Sequence, residues 1–200
     1  MAQLKMYWFT ENELSEMTLP EGYSFSHFCE SNRQVDIADW NESIRTWDES
    51  DISDEERFKK EIYDFTDIVP EEDVWFLDYN GEHVGTATSF IWSNTGTGDM
   101  HWVGIKQDFR GKGLAKYLSY IVQKTLKERG AKIVSLTTNE WRVSAVKSYL
   151  SAGFLPVEYD EGMQERWEKV LDTYGIEKIQ MVNEDGSPYK IIYRNAHEDE

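Results

Sequence analysis

The chain has 200 residues, enough for one domain with a substantial core, and no apolar run in it approaches the length of a membrane span. Its formal net charge of −17 leaves too little basic surface for broad nucleic-acid binding and suits a cationic or amine partner. Cys29 is the only cysteine, so an internal disulfide is excluded, and residues 1–5 do not lead into a signal-peptide core; the expected location is cytoplasmic.

In chain order, residues 5–10 read as a short strand, and a polar connection follows to Pro20-Glu21-Gly22. Residues 23–29 alternate, with Tyr23, Phe25, His27 and Cys29 on one side and Ser24, Ser26 and Phe28 on the other, the pattern of a half-buried strand. His27 has no second His or Cys at metal-ligand spacing and reads as a half-buried strand residue, and Cys29 as a small buried one. Ser31 or Asn32 can cap a helix whose apolar stripe is Ile37, Trp40, Ile44 and Trp47; core packing is the reading for at least one of the two tryptophans. A linker rich in Asp and Glu leads to a second helix carrying Phe58, Ile62 and Phe65. Acids cluster at Asp48, Glu49, Asp51, Asp54, Glu55 and Glu56, at Glu158, Asp160, Glu161, Glu165 and Glu168, and in the tail Glu198-Asp199-Glu200, where they read as solvated faces.

Asn80-Gly81 joins strands at 74–79 and 83–92 in a hairpin, and a turn at 93–99 leads to the strand through Ile105. Leu114, Leu118, Ile121, Val122, Thr125 and Leu126 then line one face of a helix over 113–129, with Lys116, Ser119, Gln123, Lys124 and Lys127 on the other and Gly130 as its left-handed cap. A strand at 132–138 follows, parallel to the strand before the turn, then a helix with Val143, Val146, Tyr149 and Leu150 buried and Gly153 closing it. A strand at 156–159, a helix at 163–174 with Trp167, Val170 and Leu171 inward, and a hairpin of 179–182 with 189–193 complete the chain.

The turn between the strand and the long helix is Arg110-Gly111-Lys112-Gly113-Leu114-Ala115. Backbone N–H groups and the positive end of the helix dipole converge there on a spot that wants an anion. Spacing excludes two familiar phosphate loops. Lys106 stands where the Walker pattern needs its first glycine, and Lys116 where the dinucleotide fingerprint needs its third.

The pattern Arg-x-x-Gly-x-Gly/Ala, filled by Arg110, Gly113 and Ala115, resembles the coenzyme A loop of the GNAT superfamily of acyl-CoA-dependent N-acetyltransferases. Downstream, Ala145, Tyr149 and Gly153-Phe154 are similar to its second signature, and the resemblance covers about 74–156. It implies an α/β (α+β) fold: a single GNAT-like domain over 1–200, a mixed central sheet with helices on both faces, and a C-terminal helix and β-hairpin extension at about 163–194. The two helices between the first strand and the hairpin would form one wall of the acceptor site, and the strands around Val103 and Ser135 would splay to admit the pantetheine arm.

On the same resemblance, Trp102, Val103, Gly104 and Ile105 would pair with that arm like an added strand, and the amides of Arg110, Gly111, Lys112, Gly113, Leu114 and Ala115 would hold the pyrophosphate. Many members carry Asn where Arg142 stands, with Asn139 three positions earlier; both are kept as coenzyme contacts, and Arg142 could instead meet an acidic neighbour or begin its helix. Tyr149 holds the place of the general acid that protonates the leaving thiolate. The base is left open among His101, Asn139 as a water positioner, Glu140, Glu71, Glu72 and Asp73; His101 has the best intrinsic pKa. The implied activity is acyl transfer from acetyl-CoA to an amine in a ternary complex, without a metal. A small-molecule amine is preferred to a protein amine as acceptor, and neither nucleic acid nor membrane is expected as a partner. A non-catalytic acyl-CoA-binding module is the rival, and the terminal hairpin would cover a sheet edge or join a homodimer.

Overall fold

The computed structural model describes residues 2–45 and 52–194. Trp47, Asp48, Glu49, Asp51 and the tail Glu198-Asp199-Glu200, named above, lie outside the described residues. The strands are β1 (Leu4–Phe9), β2 (Tyr23–His27), β3 (Val74–Tyr79), β4 (Glu82–Ile91), β5 (Gly98–Ile105), β6 (Ile133–Thr138), β7 (Leu155–Glu158), β8 (Lys178–Asn183) and β9 (Pro188–Tyr193). The helices are α1 (Arg33–Ile44), α2 (Asp54–Phe58), α3 (Pro70–Asp73), α4 (Ala115–Glu128), α5 (Val143–Ser151) and α6 (Met163–Tyr174). The fold is mixed α/β, with strands paired in both senses, and its contacts divide it into two units, Thr10–Val134 and Met1–Phe9 with Ser135–Glu200.

In the larger unit β2, β3, β4 and β5 form an antiparallel meander. The β3–β4 turn has Asn80 at φ 51 and Gly81 at φ 86, the paired left-handed residues of a type I′ hairpin. Residues 84–90 of β4 are all buried, which requires cover on both faces, and α1 and α4 both pack on this strand and on β5. On the α1 side lies an aromatic core of Phe28, Trp40, Phe58, Phe76 and Phe90 with Ile37, Ile44, Ile62, Ile68 and Val74, rimmed by Tyr63, Phe65, Trp92 and Trp102. Burying one such side chain contributes about 1.5–3 kcal/mol, so this core is a principal source of the unit's stability.

Four expectations in this unit need correction. Strand β2 stops at His27: Phe28 turns into the aromatic core, and Cys29, half-exposed rather than buried, becomes the cap of a short 3-10 turn, its N–H held by Asp36 at 2.7 Å. The second helix is one α turn begun by a capping box at Ser53 and Glu56, followed by a π-helical turn, Lys59–Tyr63, so Phe65 lies beyond it. Ser119 and Gln123, placed on the polar face of α4, are buried, because more than one stripe of that helix is covered. A short helix, α3, opened by Pro70, was not foreseen.

In the smaller unit β1 lies between β6 and β7, pairs antiparallel with β7, and β7 runs parallel to β8. Strand β8 occupies the open side of β7, and β9 closes the terminal hairpin as an outer strand with Ile192 inward and Tyr189, Ile191 and Tyr193 exposed. Helix α6 runs as expected between left-handed glycines at 162 and 175, with Met163, Trp167, Val170 and Leu171 buried. In α5, Val146 and Tyr149 are buried, but Val143 is exposed: it opens the helix, where the first turn projects beyond its packing face.

Candidate active site

Strand β5 breaks its own alternation. His101 pairs with Thr88 and Gly104 with Thr86, so Trp102 and Val103 together oppose Ala87, and Trp102 takes φ 47. This is a β-bulge with a non-glycine residue in the left-handed region, a conformation that costs about 1–3 kcal/mol and that a packed surrounding must hold in place. All five residues from His101 to Ile105 are half-buried, unlike their neighbours across in β4. Gly104 is required here by packing. A Cβ on it would lie 2.7 Å from the Ser43 carbonyl carbon and 3.0 Å from Ile44 Cα, so helix α1 sits directly on the strand's backbone.

The turn after β5 folds through a 3-10 turn at Gln107–Phe109. Gly111 and Gly113 have φ 75 and 71, and a Cβ at either would meet nothing within 4 Å, so glycine serves the dihedral and leaves the approach open. Helix α4 starts at Ala115, and Leu114 before it gives no side-chain cap. Its first amides therefore have no capping side chain, the arrangement that receives an anion. The Arg110 guanidinium is engaged: Nε donates to the Ile105 carbonyl at 2.8 Å and Nη2 to that of Arg45 at 3.4 Å. Lys106 Nζ holds Asp39 and Glu42 at 2.5 and 2.9 Å. Both cations fasten the turn to α1. Lys112 lies over the Phe109 ring at 4.5 Å and remains exposed at the glycine turn.

His101 lies among Phe65, Phe90 and Trp102, with ring centroids at 5.6, 6.2 and 5.3 Å. Burial alone pushes its pKa down to about 4, and its Nε2 is buried without a hydrogen-bond partner. The imidazole is thus neutral at neutral pH, able to accept a proton but holding it weakly.

The sequence-selected residues fall into two groups. Trp102, Val103, Gly104, Ile105 and Arg110, Gly111, Lys112, Gly113, Leu114 and Ala115 are contiguous in the larger unit, with His101 beside them. Asn139, Arg142 and Tyr149 belong to the smaller unit, where the Asn139 carbonyl accepts from the Arg142 amide at 3.0 Å at the start of α5. The Arg142 guanidinium lies over Trp141 at 4.9 Å, and its Nε is buried without a partner. Tyr149 is buried, with Phe154 at 6.1 Å, and burial pushes its hydroxyl up to about 12 despite the opposing pull of Arg142. Such a phenol keeps its proton throughout the physiological range.

Sequence reasoning missed the anchors that fix the turn, namely Asp39, Glu42 and Lys106, and it gave no sign of the φ at Trp102. Gly104, a small residue inside a strand, was the available hint of a close backbone approach. It also missed a cleft of about 580 Å³ lined by Asn32, Val35, Asp36, Asp39, Gly81, Glu82, His83 and Lys106. There His83 stacks on Phe76 at 4.0 Å, with Nδ1 at 2.5 Å from Asp78 and Nε2 at 3.4 Å from Asp36.

The stretch that holds this strand, turn and helix is similar to known proteins. The model of the acetyltransferase (GNAT) family matches residues 35–154. No curated protein matches the chain. Among solved structures, a GCN5-related N-acetyltransferase from Sphaerobacter thermophilus is 20% identical with a TM-score of 0.61, covering 76% of this chain and 47% of its own. A GNAT-family acetyltransferase from Colwellia psychrerythraea is 15% identical with a TM-score of 0.57, over 78% and 53%. A GCN5-related N-acetyltransferase from Kribbella flavida is 18% identical with a TM-score of 0.51, over 77% and 54%. This chain spans about half the length of each. These structures share its fold, and with the family match over more than half of its residues the chain belongs to the GNAT family of acetyltransferases.

Proposed function

We propose that the chain is an N-acetyltransferase that moves an acetyl group from acetyl-CoA to an amine by direct attack in a ternary complex. The observation that carries this reading is the pair of left-handed glycines before an uncapped helix, set beside a bulged, half-buried strand. The amides from Gly111 to Ala115 suit the pyrophosphate, the Arg110 N–H being held by the Gln107 carbonyl at 3.2 Å, and the backbone of 102–105 suits an extended arm. When bound, acetyl-CoA supplies the activated carbonyl: the amine nitrogen forms a C–N bond as the C–S bond breaks, the nitrogen gives up a proton, and the thiolate takes one.

Tyr149, kept protonated by burial, is the donor for the thiolate, and Asn139 and Arg142 are held as further contacts. His101 Nε2, neutral and unpartnered, is the acceptor for the amine's proton. Its depressed pKa suits the strongly acidic ammonium that forms on attack better than it suits a free amine. Backbone N–H groups of the bulged strand would stabilise the developing oxyanion. A small-molecule amine is the favoured acceptor and the cytoplasm the favoured location; the charge of −17 disfavours nucleic acid.

Thermal melts with acetyl-CoA, coenzyme A, ATP and NAD test the reading. At one hundred times Kd a ligand that binds only the folded state adds about 2.7 kcal/mol, or roughly 5–10 °C for a chain of this size. A rise with acetyl-CoA and coenzyme A alone, followed by amine-dependent release of free thiol, is the expected result. A rise without thiol release for any amine would leave a non-catalytic acyl-CoA-binding module, and no rise would overturn the assignment of the turn.

A further inference from the structure

Buried polar atoms in a folded protein are almost always hydrogen-bonded, so those that are not ask for a reason. In this chain three such atoms share one aromatic cluster: Trp40 Nε1, Trp102 Nε1 and His101 Nε2. The rings are contiguous, with Trp40 meeting Trp102 edge to face at 5.9 Å and Trp102 meeting His101 at 5.3 Å. Trp40 is fully buried, whereas Trp102, with Phe65, Trp92 and Tyr63, forms the partly buried rim. Edge-to-face contacts return only part of what a lost hydrogen bond costs.

Two independent irregularities fall in the same place. Trp102 holds its left-handed φ at the bulge. Ile62 and Tyr63 enter the cluster from a π-helical turn, a rare element that concentrates at functional sites. Unpaired donors, backbone strain and a π turn around one set of rings describe a surface shaped for a ligand.

The chemistry of the donors restricts that ligand. An indole N–H donates and never accepts, so it calls for an oxygen or nitrogen lone pair. The charged groups at the rim are already paired: Trp92 Nε1 donates to Asp99 at 3.1 Å, and the Arg33 guanidinium beside the Tyr63 ring holds Glu30 and Glu55, so a carboxylate or phosphate brought here would lose its water without gaining a free cation. A polyamine would bring further positive charges and no acceptor for the indoles. We infer that the Trp40 and Trp102 indole N–H groups receive neutral oxygen of the acyl acceptor, which is therefore an amine with a neutral carbonyl close to its nitrogen and an apolar body. The inference rests on the acyl-transfer reading above, with His101 taking the amine's proton beside this pair. Small amino amides and the amino termini of peptides share this chemistry.

The test uses the full chain saturated with coenzyme A, its tryptophans labelled with ¹⁵N in the indole. Phenylalaninamide should displace the Trp40 and Trp102 indole resonances, and phenethylamine, which lacks the carbonyl, should not. With acetyl-CoA, kcat/KM for phenylalaninamide should exceed that for phenethylamine, phenylalanine and spermidine at least ten-fold. Trp102→Phe, a rim substitution that keeps a ring, should cut the preference for phenylalaninamide over phenethylamine about ten-fold, mainly through KM; Trp40→Phe should do the same if it folds. Unmoved indole resonances, spermidine or phenylalanine as the best acceptor, or an undiminished preference in Trp102→Phe would each overturn the inference. A tripeptide amide beginning with Phe, run beside phenylalaninamide, tells peptide ends from small amides, and a preference for either over phenethylamine supports it. Failure of wild-type protein to bind coenzyme A would instead remove the underlying acyl-transfer reading. Thiol release with phenethylamine and no amide preference would remove only the acceptor assignment.

Discussion

At Gly113 the backbone sits at φ 71 with open space where a side chain would begin. Gly113→Ala should therefore cost only about 1–2 kcal/mol, the strain of a left-handed L-residue. Gly113→Glu should add a charge that repels the pyrophosphate, lowering coenzyme A affinity at least ten-fold; calorimetry on the folded variant measures it, and unchanged affinity would remove the turn from binding. Tyr149→Phe keeps the ring beside Phe154 and loses the proton, so turnover should fall by ten-fold or more while the KM for acetyl-CoA changes little. A Tyr149→Phe enzyme of full activity would sink the general-acid role. The glycine turn was legible as a turn into a helix because both are local in sequence. Trp40 and Trp102 were not, since whether a buried N–H finds a partner depends on segments brought together only by folding.

Helix α1 is the element that ties the glycine turn to the core. It lies on Gly104, holds Lys106 through Asp39 and Glu42, and ends at the carbonyl that receives Arg110. Gly104→Ala should destabilise the fold by about 2–3 kcal/mol, because the new methyl meets backbone that cannot swing aside, and urea unfolding reads the loss. Wild-type stability in that variant would mean that α1 can lift from the strand. Elements bounded by strong punctuation were legible: the Asn80-Gly81 hairpin, and α6 between its two glycines. The π turn was not, because Phe58, Ile62 and Phe65 fit an uninterrupted α-helix equally well and only packing selects the wider turn. The buried Ser119 and Gln123 were unreadable for the same reason: polar residues mark an exposed face only when one side of a helix is covered.

For the molecule as a whole, two histidines give stability opposite slopes with pH. His101 has its pKa lowered to about 4 by burial, so between that value and 6.5 the unfolded chain binds more protons, and stability is lost as pH falls through that window, by at most about 3 kcal/mol. His27, lowered chiefly by burial and also by Arg129, acts in the same direction. At His83 burial also acts to lower the pKa, but Asp78, Asp36 and Asp39 outweigh it and raise it. Its contribution is complete below 6.5 and is lost as pH rises through the higher folded value. Denaturation from pH 5 to 9 should show His83→Gln costing more at pH 6 than at pH 9, and His101→Gln gaining on the wild type at pH 5 relative to pH 7. Differences that do not vary with pH would contradict both assignments.

The extra residue at the Trp102–Val103 bulge resets the strand's parity. His101 and Gly104, three positions apart, face the same side through Thr88 and Thr86, where regular alternation would set them on opposite sides. Strand β5 is thus two half-strands written in opposite phase, and no single alternating code spans it. Deleting Val103 would set Gly104 two positions after His101, so both would keep their places opposite Thr86 and Thr88 in a regular ladder and only the bulge, with its left-handed Trp102, would be lost. A one-residue insertion or deletion in a regular part of β5 would instead turn one half inside out, so a library scan should purge it there, accept it at the open turn around Gly96, and show loss of Val103 as a folded chain without the bulge.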